Sequence, residues 1–210
     1  MAHQATVESP ATDAVDLSSV LDRALVFDDF FPATQIVLLE KWALQTPHWM
    51  LSNSSHDEHG KARHRIWGAS YIEALRKTGW PGLPPVLFSA LATMFQKLGV
   101  IITAPEYLGL NGQTRGMNGG THIDCAPDAT DQLSVLIYVG ENTDGDLVLY
   151  DKKDRQREVE RIGFRPNRVV AMDGSIPHAA LAPSDDKFRM SIIVRGSYQL
   201  RQAKAGIRIR

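Results

Sequence analysis

The chain has 210 residues, of which 43% are hydrophobic and 22% are charged, values typical of one globular domain and unlike those of a fibrous or wholly disordered chain. A formal net charge of −1 lacks the basic excess that binding to a phosphate backbone usually requires, so no nucleic-acid partner is expected. The single cysteine, Cys125, excludes an intrachain disulfide framework, and the absence of an apolar run of roughly 20 residues or of a signal-peptide pattern predicts a cytoplasmic protein without a membrane partner.

The N-terminal residues 1–15 are small, polar and interrupted by proline, a composition typical of a disordered leader. We expect residues 16–210 to form one domain. Within it, helical support is predicted over about residues 16–100 and a β-rich core over about residues 101–198, because the period of the apolar residues changes between the two.

Two helices are predicted before the period changes. Apolar residues recur at helical intervals in residues 32–45 and again in 84–99, where Gly99 is the expected C-terminal stop. Residues 52–66 lie between them and are polar and rich in histidine, so we expect an exposed loop or a lid. The HDEH motif at 56–59 leaves open a second metal site, although solvated loop residues explain it more simply.

From about Ile101 onward, short runs of branched and aromatic residues alternate with turn signals, which is an all-β pattern. The predicted strands are ITAPEYLGL, GGTHIDC, QLSVLIYVG, DLVLYD, REVERIGF, RVVAMD, HAALAP and FRMSIIVRGSY. Strands of this number protect their edges by closing two antiparallel sheets over each other. The predicted fold class is therefore mainly β with flanking helices, around a double-stranded β-helix core of the jelly-roll, cupin-like type.

A candidate metal site lies in the second and seventh of these strands. His122 and Asp124 are two residues apart, and side chains at that spacing on a strand share a face. His178 begins a later strand that can fold back beside them. Two histidines and one carboxylate leave coordination positions open and are diagnostic of non-haem iron(II), whereas zinc is more often held by four protein ligands or by a His₃ or His₂Glu set. An HxD triplet alone also occurs by chance at an exposed strand end.

A candidate anion site follows on the last strand. Arg189 lies 11 residues after His178, and strand alternation places Arg189 and Ser191 on one face with Met190 on the other. An arginine directed into a β-sandwich is costly unless it meets an anion, and its guanidinium fits a carboxylate in bidentate fashion. A structural ion pair with an aspartate of the 185–186 turn is the alternative.

In these motifs the sequence resembles the iron(II) and 2-oxoglutarate-dependent oxygenase superfamily, in particular its prolyl-hydroxylase-like branch. The matching pieces are HID, LSVLIYVG, GDLVLYD, PNRVVAMDGSIPHAA and FRMSIIVRG, which lie between residues 122 and 196 in the order found in that superfamily. Many prolyl hydroxylases have lysine where this sequence has Arg189, so the resemblance does not extend to their substrate.

The resemblance implies roles for named residues. His122, Asp124 and His178 would bind iron and form the catalytic centre, and Arg189 would bind the distal carboxylate of 2-oxoglutarate. Ser191 is paired with Arg189 in some relatives. Tyr138 occupies a strand position from which a tyrosine often supports the same carboxylate, although a buried core tyrosine is an equal alternative. The implied cofactors are Fe(II), 2-oxoglutarate and O₂, with ascorbate as an optional reductant.

The primary substrate is expected to contact the loops around this site. Residues 52–66, including His64, and residues 111–120, including Arg115 and Asn118, carry basic and amide groups that suit a carboxylate or phosphate. Each of these side chains can equally be an ordinary solvated loop residue.

The expected function is hydroxylation of a C–H bond in a small molecule of amino-acid or natural-product type, with release of succinate and carbon dioxide. In relatives that halogenate, a small residue replaces the acidic one found at position 124, which disfavours halogenation. The alternatives are a protein-residue hydroxylase of prolyl type, a non-catalytic cupin-like metal-binding or sensor protein, and a metal-dependent hydrolase or isomerase. The sequence leaves the oligomeric state open.

Overall fold

The computed structural model describes residues 23–56, 62–126 and 129–200. The strands are β1 (Leu25–Phe27), β2 (Met50–His56), β3 (Ala62–Ser70), β4 (Val100–Gln113), β5 (Gln132–Val139), β6 (Leu147–Tyr150), β7 (Glu158–Ile162), β8 (Val169–Asp173), β9 (His178–Ala180) and β10 (Arg189–Leu200). The helices are α1 (Ala33–Gln45), α2 (Ile72–Thr78) and α3 (Pro85–Leu98), with a 3₁₀ turn at Trp80–Gly82.

The strands form two antiparallel sheets. The major sheet has seven strands in the order β1-β8-β5-β10-β4-β3-β2, and the minor sheet has three in the order β7-β6-β9. Buried apolar side chains fill the space between the two sheets. The predicted class, mainly β with flanking helices around a jelly-roll core, is confirmed.

Alternation along the buried central strand β5 explains how the major sheet supports two cores. Val135, Ile137 and Val139 belong to the core beneath the helices, whereas Leu136 and Tyr138 belong to the core between the sheets. Successive side chains of a strand point to opposite faces, so a strand that is buried on both sides reads as a continuous apolar run. The site described below lies on the second of these faces.

The predicted helices brace the first face. Leu39 and Ala43 of α1 are buried against it, and so is the apolar stripe of α3. As predicted, α3 ends at Gly99, which adopts a left-handed conformation and donates its N–H to the last turn. The short helix α2 was not predicted, because its seven residues are too few for a helical period to stand out.

The prediction of a loop or lid at residues 52–66 is wrong for most of that segment. β2 and β3 pair as a hairpin, and β3 continues the sheet by pairing with β4, so that Trp67 lies opposite Gly112. The polar composition concealed this, because strands at a sheet edge are held by backbone hydrogen bonds and need no continuous apolar face. Residues 57–61, which include most of the HDEH motif, lie outside the described part of the chain.

The predicted leader at residues 1–15 and the basic tail from residue 201 onward also lie outside the described residues. Within the described residues, none of the helices combines the length and the apolar character that crossing a membrane requires.

Candidate functional site

A cavity of about 320 Å³ opens between the two sheets, and it brings the predicted metal and co-substrate residues together. His122, Asp124 and His178 line it on the side of the minor sheet, while Arg189 and Ser191 line it from β10 of the major sheet. Residues that are far apart in sequence thus share one enclosed volume.

The HID segment is not the regular strand that was predicted. It follows the edge of β9 through isolated contacts: His122 forms a two-way backbone bridge with His178, and the Asp124 N–H donates to the Gly174 carbonyl at 2.8 Å. The two predicted ligands nevertheless converge, because this irregular edge keeps His122 and Asp124 beside the start of β9.

Both histidines are oriented by backbone carbonyl groups. Nδ1 of His122 lies 2.9 Å from the Gly120 carbonyl oxygen, and Nδ1 of His178 lies 2.9 Å from that of Ile176. In the neutral imidazole this contact requires the proton on Nδ1, which leaves the Nε2 lone pair free for a metal. Both Nε2 atoms face Asp124, each 3.6 Å from one of its carboxylate oxygens.

Asp124 is held on both of its oxygens. The Ser134 hydroxyl donates to Oδ2 at 2.7 Å, and Nη1 of Arg195 donates to Oδ1 at 2.5 Å. Burial raises the pKa of this carboxyl, but the neighbouring histidines, Arg195 and the Ser134 hydrogen bond outweigh it and bring the pKa to about 2. The carboxylate is therefore ionised throughout the neutral range.

His178 is also in the form that a metal needs. Burial lowers the pKa of its imidazole to about 4, against the opposing attraction of Asp124. The ligand atoms of His122, Asp124 and His178 all lie within 4.8 Å of one another. Two imidazole nitrogens and one carboxylate on one side of an ion leave the opposite positions open, which suits iron(II).

Arg189 is fully buried, and its donors are only partly used. Nε donates to the Gly145 carbonyl at 2.7 Å, and Nη1 donates to Oε1 of Gln113 at 2.8 Å. The rings of Tyr138 and Phe164 lie 5.4 and 5.1 Å from its Cζ. By hydrogen-bond geometry, Nη2 of Arg189 and the Tyr138 hydroxyl have no partner among the described residues, although the two groups are close enough to interact electrostatically. Burial lowers the pKa of the guanidinium, and its hydrogen bonds within the described part of the chain go to Gly145 and Gln113 rather than to a carboxylate.

These unused donors fit an anion such as the distal carboxylate of 2-oxoglutarate. A buried polar group without a partner is costly, and a buried cation is more so, which is why such groups occur mainly where a ligand completes them. The alternative of an ion pair between Arg189 and the 185–186 turn is not found, since Asp186 instead pairs with Arg115.

Two residues that sequence reasoning missed hold Arg189 in place. Gly145 has φ near 90°, and a Cβ there would lie 2.6 Å from Cδ of Arg189, so only glycine fits. Gln113 accepts from Arg189 and donates through Nε2 to the carbonyls of Met117 and Ala180. No local sequence signal marks Gln113, because it meets Arg189 only through the register of β4 against β10.

The other two predicted co-substrate residues occupy different positions. Ser191 is buried and lines the cavity, on the same face of β10 as Arg189 as predicted. Tyr138 is fully buried behind Arg189, with its ring stacked on Phe164 at 4.5 Å, and is not part of the cavity lining. Its role toward the co-substrate stays a prediction.

Two of the three predicted substrate residues are not brought to the cavity. Arg115 is largely exposed and lies 3.2 Å from Asp186, and the Asn118 side chain accepts a hydrogen bond from the Ala182 N–H. Neither lines the cavity. His64 lies in β3, but its side chain is outside the described part of the chain. Their roles in substrate binding stay predictions.

Several residues that line the cavity were not predicted from the sequence. They include Ile66 of β3, Tyr107 and Asn111 of β4, and Arg195 of β10. The signal for Arg195 was available, because it lies six residues after Arg189 on the same strand and therefore on the same face.

No protein-family model matches the sequence, and no curated protein is similar to it in sequence. Solved structures do share its fold. An oxidoreductase of the 2OG-Fe(II) oxygenase family from Burkholderia pseudomallei aligns with a TM-score of 0.58 at 14% identity, covering 86% of this chain and 89% of that one. A prolyl-4-hydroxylase from Pseudomonas putida aligns at 0.57 and 16% identity, covering 86% and 93%.

A non-haem α-ketoglutarate-dependent carbocyclase from nogalamycin biosynthesis aligns equally well, with a TM-score of 0.57 at 12% identity, covering 87% of this chain and 83% of that chain. At these identities the similarity establishes the fold. The expected resemblance is confirmed in the fold, which this chain shares with a solved 2OG-Fe(II) oxygenase and a solved prolyl-4-hydroxylase.

Proposed function

We propose that this protein is a non-haem Fe(II) and 2-oxoglutarate-dependent dioxygenase that hydroxylates a C–H bond of a small molecule of amino-acid or natural-product type. The observation that carries the proposal is the presence, in one cavity, of a His–Asp–His ligand set and a buried arginine with an unused donor. A protein that only bound a metal would gain nothing from the cost of burying Arg189.

Under this proposal, His122, Asp124 and His178 hold the iron, and Arg189 holds the distal carboxylate of the co-substrate. When bound, iron(II) and 2-oxoglutarate supply, with O₂, the oxidising power for hydroxylation, and succinate and carbon dioxide are released. The carbonyls of Gly120 and Ile176 orient the imidazoles of the metal-binding histidines.

The remaining side chains position the co-substrate and exclude water. Arg189, fixed by Gln113 and by the Gly145 carbonyl, sets the depth at which the dicarboxylate can enter. Leu136 and Leu147 line the cavity with apolar surface, and so keep bulk water from a site where reactive species must be confined.

The size of the cavity favours a small substrate. A volume of about 320 Å³ is at the lower end of the roughly 300–1,000 Å³ usual for small-molecule pockets, and part of it would be taken by the co-substrate. The similarity in fold to a prolyl-4-hydroxylase supports the alternative, a prolyl-type hydroxylase acting on a protein residue. Arg189 stands where many prolyl hydroxylases have lysine, so the substrate of that branch is not carried over to this protein.

An anaerobic titration tests the proposal. The iron(II)-loaded protein should develop a metal-to-ligand charge-transfer band as 2-oxoglutarate is added, and succinate should form when air is admitted. Absence of both the band and succinate would exclude an oxygenase and favour a metal-binding protein without turnover. Turnover that needs zinc or manganese but no O₂ would instead indicate a hydrolase or isomerase.

A further inference from the structure

The face of the major sheet that lines the cavity has a cationic side chain at each end. Along β10 the side chains on this face are, in order, Arg189, Ser191, Ile193 and Arg195. Six residues of strand separate the two arginines by roughly 20 Å between Cα atoms. Arg189 has its role in the proposed function, whereas Arg195 has been given only its hydrogen bond to Asp124.

Arg195 is built into the cavity wall. It lies between Tyr107 of β4 and Ser134 of β5 in the sheet register, and its Cζ is 5.2 Å from the Tyr107 ring centroid. Nη1 donates to Asp124, while Nε is buried and has no hydrogen-bond partner among the described residues. About a third of the side chain, 32%, is exposed. One edge of the guanidinium is thus committed to Asp124, whereas Nε on the other edge is not.

The charges in the cavity do not balance without a further anion. The described charged side chains that line it are Asp124, Arg189 and Arg195, apart from the two histidines, which bind metal in their neutral form. Iron(II) would be neutralised by Asp124 together with the near carboxylate of 2-oxoglutarate, and Arg189 by the distal carboxylate. Arg195 would then carry an uncompensated charge in a partly enclosed site, because the metal takes up the charge of its partner Asp124.

The geometry points to a primary substrate that carries a carboxylate, bound by Arg195 at the end of the cavity remote from Arg189. This inference rests on the proposed function. A guanidinium edge matches a carboxylate in bidentate fashion, and Nε of Arg195 is a donor that has no partner among the described residues. Ile66 and the Tyr107 ring give the rest of such a molecule an apolar wall. Because Arg195 contacts the ligand Asp124, the oxidised carbon is expected only a few bonds from the carboxylate.

The test compares small monocarboxylic acids, aliphatic and aromatic, with their primary amides. Each pair is titrated anaerobically into protein loaded with iron(II) and 2-oxoglutarate, and the shift of the charge-transfer band gives the dissociation constant. In the wild type, acids are expected to bind at least about tenfold more tightly than amides. Arg195→Gln should reduce this ratio to within about twofold, and the matched variant Arg195→Lys should retain a preference for acids.

Three results would overturn the inference while leaving the proposed function intact. The first is equal binding of acids and amides, or binding of neither, in wild-type protein that shows the charge-transfer band. The second is a large loss of 2-oxoglutarate affinity in Arg195→Gln, which would assign Arg195 to the co-substrate. The third is weaker iron binding in that variant with the acid preference unchanged, which would make Arg195 a positioning residue for Asp124 only.

If Arg195→Gln does not load iron, the inference is judged on the acid-to-amide ratio of the wild type and of Arg195→Lys, which is measured in both proteins. If wild-type protein forms no charge-transfer band with 2-oxoglutarate before any acid is added, the proposed function fails, and this inference fails with it.

Discussion

Neighbouring residues of β10 face opposite sides of the major sheet: Met190 and Ile192 contact the core beneath the helices, whereas Arg189 and Ser191 face the minor sheet across the cavity. All four are buried. The helix face stabilises the fold through apolar burial, and the cavity face carries polar groups whose burial costs free energy. Apolar burial on the helix face therefore offsets the free-energy cost of polar burial on the cavity face. Substitutions on the two faces should have different effects.

The largest effect is expected from removing a metal ligand on the cavity face. His178→Ala should abolish iron-dependent turnover, because it removes one of three ligands and breaks none of the contacts beneath the helices. Succinate formation and the unfolding transition should be measured together. His48→Ala, on the far side of the major sheet beside Tyr71, is the matched control and should keep its turnover. Full activity of His178→Ala would show that His178 is not a required metal ligand.

Adjacent isoleucines on β10 separate the two faces directly. Ile192→Ala should destabilise the fold by about 2–5 kcal/mol, because Ile192 is 1% exposed within the core beneath the helices. Ile193 is only partly buried and lines the cavity, so Ile193→Ala should cost less than about 1.5 kcal/mol. Urea unfolding of the metal-free variants gives both values. Equal losses would contradict the division of labour between the faces.

A smaller effect is expected from Arg189 on co-substrate binding. Arg189→Ala should raise the 2-oxoglutarate concentration needed for half-maximal turnover by about 10- to 100-fold, the factor that a charged hydrogen bond contributes. Arg161→Gln, which removes a surface pair with Glu158, is the control and should leave this concentration unchanged. An unchanged requirement in Arg189→Ala would show that the co-substrate carboxylate binds elsewhere.

The smallest effect is expected from pH, through His178 in metal-free protein. Its pKa is lowered from 6.5 to about 4 in the folded state, so the unfolded chain binds more protons between these values. The free energy of unfolding is therefore fully retained, with respect to His178, above pH 6.5. It decreases as the pH falls toward 4, because the unfolded chain takes up a proton at this residue and the folded protein does not. Between pH 7 and 5.5 the loss should be about 1 kcal/mol. His178→Gln should lack this component, and parallel pH profiles for the two proteins would contradict it.

Much of this architecture was predictable because alternation is a local property of the chain. The faces of Arg189, Ser191 and Met190 follow from their parity on one strand, and the left-handed stop at Gly99 follows from its place after an apolar helical stripe. The three side chains that could hold a metal were singled out from their order and residue types. These features need no knowledge of which strands pair.

The parts that were missed depend on pairing. Gln113 and Arg189 lie 76 positions apart and meet only because β4 and β10 are neighbours in the sheet. Tyr107 also lines the cavity because β4, to which it belongs, lies beside β10 in the sheet. The hairpin of β2 and β3 was hidden because its stability comes from the β4 edge rather than from its own polar side chains. No single segment of the sequence determines the register between strands that are far apart along the chain.

The side-chain amide of Gln113 is neutral and is hydrogen-bonded to Arg189. Its carbonyl oxygen accepts from Arg189 while its NH₂ group faces the carbonyl oxygens of Met117 and Ala180, so the amide fits in one orientation only. Exchanging that nitrogen for oxygen, as in Gln113→Glu, would set a carboxylate against two carbonyls and give the guanidinium a permanent counter-ion. The protein would then carry its own competitor for the co-substrate. Under the proposed function, this one atom sets whether Arg189 meets the co-substrate with its charge free or already paired.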